Sequence, residues 1–509
     1  MVGITNRAIL ESCKNVSKNE VGLRNRIALG LIVALLYGAF ISLCPHKYPR
    51  SQGMETDLIT SYVHGAYYLK EGSRLWQDLE PFKTQGTGFP LALAVLGGLF
   101  EPNQRHSDLL PGWQYFVAGK WLSLFSAMAL IVLLFVWLGT KSGLIAAIAL
   151  MFSPLFFELS YSGCTDVFAV VLFLWAAYSV FKNKLLLGGI LYGYAVITRY
   201  EFILFLPFAL WYLWKPFKFK NILMFLAPVA VLLALNFSIA EFPPSGGKYN
   251  LALHYLNDDN QPDMFLVSRL EQHPTAMSII LADPIYTLKI FFRDLWDTIA
   301  QIGMMQVWPV LFFAALLFLS IHKSQYRKIL IFALLAHLLL ICFTVFHWQT
   351  IRYFLIEIVV LTMLGSYFIV DLCWKKLWIL IPIFIFNFNL WAANVETQVN
   401  RTSEIYKPIG QYVKPENSIM SLRPMLAFVN GVKWRYWPIE ESNIYIYCNQ
   451  QNIDFVYWGG FEMYNRSEWK EKFSTIDNAL PEFIPIYYDK YGVLFYVNKA
   501  DSVKNRYNR

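Results

Sequence analysis

Apolar runs close to 20 residues long recur between Ile27 and Ala393, and a run of that kind has few places to go in water. A helix of about 20 apolar residues matches the roughly 30 Å hydrocarbon thickness of a bilayer. Their repetition marks a polytopic membrane protein that is mainly α-helical. Composition agrees: 56% hydrophobic and 15% charged residues in a chain of 509 leave too little charge to cover a soluble surface. The formal charge of +8 is therefore read through topology, with Lys and Arg gathered on the cytoplasmic side, and no nucleic-acid partner is expected. Cys13, Cys44, Cys164, Cys342, Cys373 and Cys448 form no CxxC pair, which argues against a disulfide framework or a zinc site.

Charge sets the topology. The polar segment 1–26 carries five basic residues and is placed in the cytoplasm, with no cleavage site after the first apolar run. The membrane domain then covers 27–394. Ile27–Leu43 crosses outward and opens a large first outer loop, 45–112. Within that loop Leu58, Tyr62, Ala66 and Leu69 recur at helical spacing, and Glu71-Gly72 ends the run. Phe89–Phe100 is apolar but, at about 12 residues, too short to span, and reads as a juxtamembrane or re-entrant helix. Trp113–Leu138 returns, Leu144–Phe157 goes out, and Val167–Phe181 comes back to Lys182 and Lys184. The apolar stretch Leu185–Trp214 is interrupted by Thr198-Arg199-Tyr200-Glu201; two short spans keep the cluster Lys215, Lys218, Lys220 inside. Asn221–Ile239 leads to an outer loop, 240–298, followed by spans at Ile299–Ser320, Ile329–Phe346, Phe354–Val370 and Leu377–Ala393. The count is about eleven spans, with basic clusters inside and long polar loops outside. Residues 395–509 are expected to form a small extracytoplasmic α/β domain, with strand-like content in NIYIYCNQQNIDFVYWGG and YGVLFYVNK.

Candidate chemistry falls on the outer side. Asp57 and Asp166 each stand beside the membrane at a helix start, where an acid is also a good N-cap. Jointly they suit a general base and a ligand for an acceptor or for a divalent cation, Mg or Mn. Arg199 and Glu201 interrupt an apolar run, where each ionised group costs roughly 2.5–3.5 kcal/mol at mid-membrane, so they belong near an interface or paired with each other. Lys83 and Arg352 are outer-side cations able to stabilise charge developing on a phosphate oxygen, although a single basic residue there also serves as a snorkelling anchor. His347 in FHWQTIRY stands beside them, and the turn Gly86–Pro90 allows close backbone approach to a ligand. No P-loop, GxGxxG, GxSxG or HExxH is present.

These dispersed motifs resemble one family, the GT-C membrane glycosyltransferases, in the branch with protein O-mannosyltransferases and the lipid A aminoarabinose transferase. The residues carrying the resemblance are METD with Asp57, AYYLKEG, GTGFPLALAVL, SGCTD with Asp166, LLLGGILYGYAVITRYEFILFLP, and HWQTIRYFL with Arg352 and Tyr353. One departure is that the second outer loop holds a single Asp where that branch has an acidic pair. The resemblance implies transfer of a hexosyl or pentosyl group from a polyprenyl-phosphate donor to a lipid, glycan or protein acceptor. It implies Asp57 as the base of one inverting displacement, and Asp166 as acceptor-orienting or, with Asp57, metal-binding. Lys83, Arg352 and Arg199 would hold the lipid phosphate, with Glu201, His347 and Tyr353 also at the substrate. No cofactor is required by this scheme. The expected location is a bacterial cytoplasmic membrane, with membrane lipids around the spans. Two rivals remain: a transporter or flippase of lipid-linked sugars, which calls for internal repeats and deep charges, and an outer-face polysaccharide polymerase or ligase, which does not need an acid after the first span.

Overall fold

The computed structural model describes residues 22–43, 58–75, 82, 86–100, 112–214, 219–240, 281, 284–305, 317, 324–345, 351–373, 382, 385, 386, 388–390, 392, 393, 406–422, 424–437, 443–459, 473, 481–489 and 491–499. Helix α1 is Leu23–Leu43. A π-helical turn, Leu58–Val63, runs directly into α2, His64–Glu71, which ends at Gly72 in the left-handed conformation (φ +68°). Leu58, Tyr62 and Ala66 are buried, as their helical spacing requires. The short apolar stretch after the Gly-rich turn is α3, Gly88–Leu96, with a 3-10 turn at Gly97–Leu99.

Helix α4 is Trp113–Leu138. The expected span Leu144–Phe157 is instead two helices, α5 (Thr140–Met151) and α6 (Pro154–Leu159). Ser153 and Pro154 make the break: the Ser153 hydroxyl caps α6 by accepting from the Phe156 amide at 3.2 Å, and Pro154 occupies the first turn, where no amide is needed. Then come α7 (Thr165–Phe181), α8 (Leu185–Thr198), a 3-10 segment (Tyr200–Phe205), α9 (Leu206–Trp214) and α10 (Phe219–Ile239). Part of the stretch expected as an outer loop is helical: α11 is Pro284–Met305. It starts on a proline, and Ile285, Leu288, Phe292 and Trp296 form one stripe at helical spacing. Helix α12 is Ser324–Val345; a 3-10 turn at Ile351–Phe354 feeds α13, Leu355–Cys373.

The chain divides into two compact units. The first holds 1–45, 121–251 and 275–394. Among the described residues, α1, α4 and α10 are long and apolar enough to cross a membrane. Leu35 and Leu36 on α1 and Val231 and Leu235 on α10 are more than half exposed, an outward apolar face that suits a lipid environment. Helix α8 packs between α7 and α10, and its glycines allow it: a Cβ at Gly189 would overlap the Phe225 carbonyl oxygen and lie 2.7 Å from Pro228 Cγ.

The second unit holds 46–120, 252–274 and 395–509. Its C-terminal part is a five-stranded sheet of β1 (Ser418–Met420), β2 (Lys433–Arg435), β3 (Phe455–Gly459), β4 (Phe483–Asp489) and β5 (Gly492–Val497), ordered β2-β1-β3-β5-β4. β1 is parallel to β2 and β3, while β3-β5 and β4-β5 are antiparallel. Helix α14 (Met425–Asn430) lies in sequence between β1 and β2, and α15 (Ile444–Gln450) between β2 and β3. The strand-like NIYIYCNQ is thus a helix. Asn443 caps it by accepting from the Tyr445 and Ile446 amides at 3.1 Å, and Ile444, Tyr445 and Cys448 bury one face. Cys448 is sealed in the core, and burial pushes its thiol up to about 12.

Candidate functional site

The site is assembled by a helical hairpin and the turn that precedes it. Gly163 takes φ +77°, Cys164 is extended, and the Ser123 hydroxyl on α4 donates to the Cys164 carbonyl at 3.1 Å. This fixes where α7 starts and puts Asp166 in its first turn, where the helix dipole favours a carboxylate. At the far end of the hairpin α8 stops at Arg199, whose backbone is extended (φ −144°, ψ 114°). The break frees backbone groups in apolar surroundings, and the Tyr192 hydroxyl takes up one by donating to the Phe202 carbonyl at 2.7 Å; separately, the Asn236 side chain on α10 donates to the Tyr200 hydroxyl at 2.9 Å.

The Arg199 guanidinium bridges two acids, donating through Nη1 to Asp166 Oδ1 and through Nε to Glu201 Oε1. All three side chains are buried, at 9%, 2% and 7% exposure. Tyr353, in the 3-10 turn before α13, lies against the cation, with Arg199 Cζ 4.6 Å from its ring centroid. Arg352 Cζ is 5.8 Å from the same ring. Two buried carboxylates and the buried Arg199 guanidinium, with the half-buried Arg352 beside them, therefore share one patch at the ends of α7, α8 and the turn before α13. The second oxygen of Asp166, Oδ2, is buried and has no hydrogen-bond partner among the described residues. A buried carboxylate lone pair of this kind suits a hydroxyl donor from a ligand.

Five of the eight residues singled out in the sequence, Asp166, Arg199, Glu201, Arg352 and Tyr353, are thus in one place. Asp57, Lys83 and His347 lie outside the described residues. For a divalent cation, Asp166 offers one oxygen beside a guanidinium, whereas hard cations take six or more oxygens. Among the described residues no three His, Cys, Asp or Glu side chains converge. Asp166 alone does not make such a site, and Asp57, the other acid proposed for it, lies outside the described residues.

One polar pair was not singled out from sequence. His337 Nδ1 on α12 lies 2.7 Å from Glu357 Oε2 on α13, both nearly buried, and the His337 ring is 5.7 Å from Phe354 at the end of the Arg352 turn. The signal was available, because each is a lone ionisable residue in an apolar run.

No protein-family model matches the chain, and no curated protein matches it. Among solved structures, the chain is similar to ArnT from Cupriavidus metallidurans bound to undecaprenyl phosphate, with 11% identity, 93% of this chain and 98% of that chain covered, and a TM-score of 0.39. It is also similar to the Archaeoglobus fulgidus oligosaccharyltransferase in the apo form, with 11% identity, 87% and 70% of the two chains covered, and a TM-score of 0.46. The same archaeal enzyme tethered to an acceptor peptide containing the NVT sequon gives 11% identity, 93% and 74% coverage, and a TM-score of 0.43.

Proposed function

We propose that this protein is a membrane glycosyltransferase that moves a sugar from a polyprenyl-phosphate donor to an acceptor hydroxyl at the extracytoplasmic membrane boundary. The observation that carries the reading is the cluster in which Asp166 keeps a carboxylate oxygen without a partner while its ion-pair partner Arg199 lies over the Tyr353 ring beside Arg352. Such a patch offers one group for a hydroxyl and a second for a phosphate, at helix ends and not mid-span. A lipid-tethered donor delivers its phosphate to that level.

In this reading Asp57 removes the acceptor proton as the hydroxyl oxygen attacks the anomeric carbon. The bond from that carbon to the phosphate oxygen breaks, and the configuration inverts. The electron pair leaves with the polyprenyl phosphate, whose growing charge is met by Lys83 and Arg352. Arg199 is committed to two carboxylates, so its part is positional: with Glu201 it holds Asp166 and Tyr353 in place. The open Asp166 oxygen orients the acceptor hydroxyl, and His347 assists at the phosphate.

The test is the Asp57→Asn variant, purified and reconstituted with a polyprenyl-phosphate sugar. It should insert and fold as the parent does, by proteolysis and thermal unfolding, while transferring no sugar. Transfer at the parent rate would end the assignment.

A further inference from the structure

The α7–α8 hairpin has a second end. Helix α7 is 17 residues long, so its C-terminus lies about 22 Å from Asp166, most of the roughly 30 Å thickness of a bilayer core. There Lys182, Asn183 and Lys184 make the turn, Asn183 with φ +57°, fixed by the Asn183 amide to the Val180 carbonyl at 2.9 Å and the Lys184 amide to the Ser179 carbonyl at 2.8 Å. This geometry brings both lysines to the rim of one cavity, about 640 Å³, which Arg26 from the first turn of α1 also lines. The volume is in the range of a small-molecule site, about 300–1,000 Å³.

The lining is chemically divided. Arg26, Lys182 and Lys184 supply three positive charges, and among the described residues the lining contains no Asp or Glu. The N-terminal turn of α8 adds the positive end of a helix dipole, its residue Leu187 being part of the wall. Trp175 and Tyr178 form an aromatic floor, with Lys182 Nζ 5.5 Å from the Tyr178 ring centroid. Leu187 and Leu191 continue the wall as apolar surface, and Leu187 is 44% exposed on the side of the helix. A cationic head pocket with an aromatic floor opening onto aliphatic side chains is complementary to an anionic amphiphile.

We infer that this cavity is a binding site for the phosphate headgroup of an anionic membrane lipid, in the leaflet opposite the Asp166 site. It is distinct from the donor site, since the two are separated by the length of α7. The shared ligand chemistry is a phosphate ester, and the apolar wall is what selects a lipid over a water-soluble phosphate.

The experiment uses the full chain in detergent, titrated separately with phosphatidylglycerol, phosphatidylcholine and sn-glycerol 3-phosphate, with bound molecules counted by native mass spectrometry. Phosphatidylglycerol should bind stoichiometrically, with phosphatidylcholine and glycerol phosphate at least about tenfold weaker. Arg26→Gln/Lys182→Gln/Lys184→Gln should lower phosphatidylglycerol affinity by about tenfold or more, since each basic residue near an anionic headgroup contributes a several-fold factor. Lys182→Arg/Lys184→Arg should retain it. Should the charge-removed variant fail to fold, Leu191→Trp keeps every charge and fills the cavity, and should weaken binding as well. Equal retention of phosphatidylcholine, or unchanged affinity in the charge-removed or cavity-filled variant, overturns the inference. Glycerol phosphate binding as tightly as phosphatidylglycerol also overturns it, by assigning the cavity to a soluble ligand.

Discussion

Removing the Arg199 guanidinium should strand two carboxylates where water does not reach them. In the parent, Asp166 and Glu201 are 2% and 7% exposed and each bonds the same cation. Arg199→Ala deletes both charge-assisted bonds at once. Breaking a buried ion pair by removing one partner destabilises by about 3–5 kcal/mol, because the remaining charge keeps its desolvation penalty without its attraction. Arg199→Lys keeps the charge but replaces a planar fork that reaches two acids by a point donor. One of the two bonds is then lost, a destabilisation of about 1.5–3 kcal/mol. The decisive comparison is the full replacement Asp166→Leu/Arg199→Met/Glu201→Leu. Removing all the charges together is neutral, or stabilises by about 1–4 kcal/mol, where the packing volume is kept. Equilibrium unfolding in mixed micelles, followed by far-UV circular dichroism, should therefore rank Arg199→Ala as the least stable and the triple variant near the parent. Sugar transfer should be lost in the triple variant even so. An Arg199→Ala protein within 1 kcal/mol of the parent, on the scale set by ordinary surface substitutions, would refute the claim that Arg199 holds this buried cluster together.

Other outcomes follow from single contacts. Gly189→Ala places a methyl group against the Phe225 carbonyl and Pro228, and should destabilise by about 1–3 kcal/mol; Gly98→Ala, with open space around it, should unfold like the parent. Arg352→Ala should weaken binding of the polyprenyl-phosphate sugar while leaving acceptor affinity unchanged, as read by titration of each substrate separately. In the sheet, Asp454 is held below the usual carboxylate range: burial raises it, but hydrogen bonds from Lys499 at 2.7 Å and the Ser418 amide at 2.9 Å outweigh that. Its folded value lies below the unfolded one, so its contribution is fully present above about pH 4 and fades as pH falls through the folded value. Acid unfolding of the sheet should begin at a higher pH in Lys499→Ala, with Asp454→Asn removing this part of the pH dependence.

Where the chain has a strong local signal, its sequence and its fold coincide. Apolarity set both ends of Trp113–Leu138, Gly72 ended α2, and Arg199 interrupted the run that became α8 and α9. Misreadings arose where an apolar count outweighed a cap. Ser153-Pro154 is a clear helix start inside a run read as continuous, and Asn443 begins a helix in a stretch whose aromatic and β-branched content suggested a strand. Pro284 likewise opens a helix whose charges, Lys289, Arg293, Asp294 and Asp297, gave the stretch a loop-like average. In each case the period of the apolar residues was the better guide than their density.

The site shows the same division between the residues chosen and the way they meet. Arg199 and Glu201 were expected to pair because they sit two residues apart in apolar sequence. That Asp166 would join them depends on a distance of 33 residues. Yet the means of closing it is written in the chain. Asp166 lies 17 residues before Asn183 and Arg199 lies 16 after it. Two antiparallel helices folded at a tight turn climb 1.5 Å per residue, so these two positions arrive at the same height to within about 2 Å. The turn itself needs a residue that tolerates left-handed backbone, and Asn183 takes φ +57° there. One hairpin length therefore sets the Asp166–Arg199 pairing at one end and brings Lys182 and Lys184 together at the other. Inserting a residue within α8 would rotate Arg199 by about 100° away from Asp166 while leaving the lysine turn intact, which makes the two ends of the hairpin separable by design.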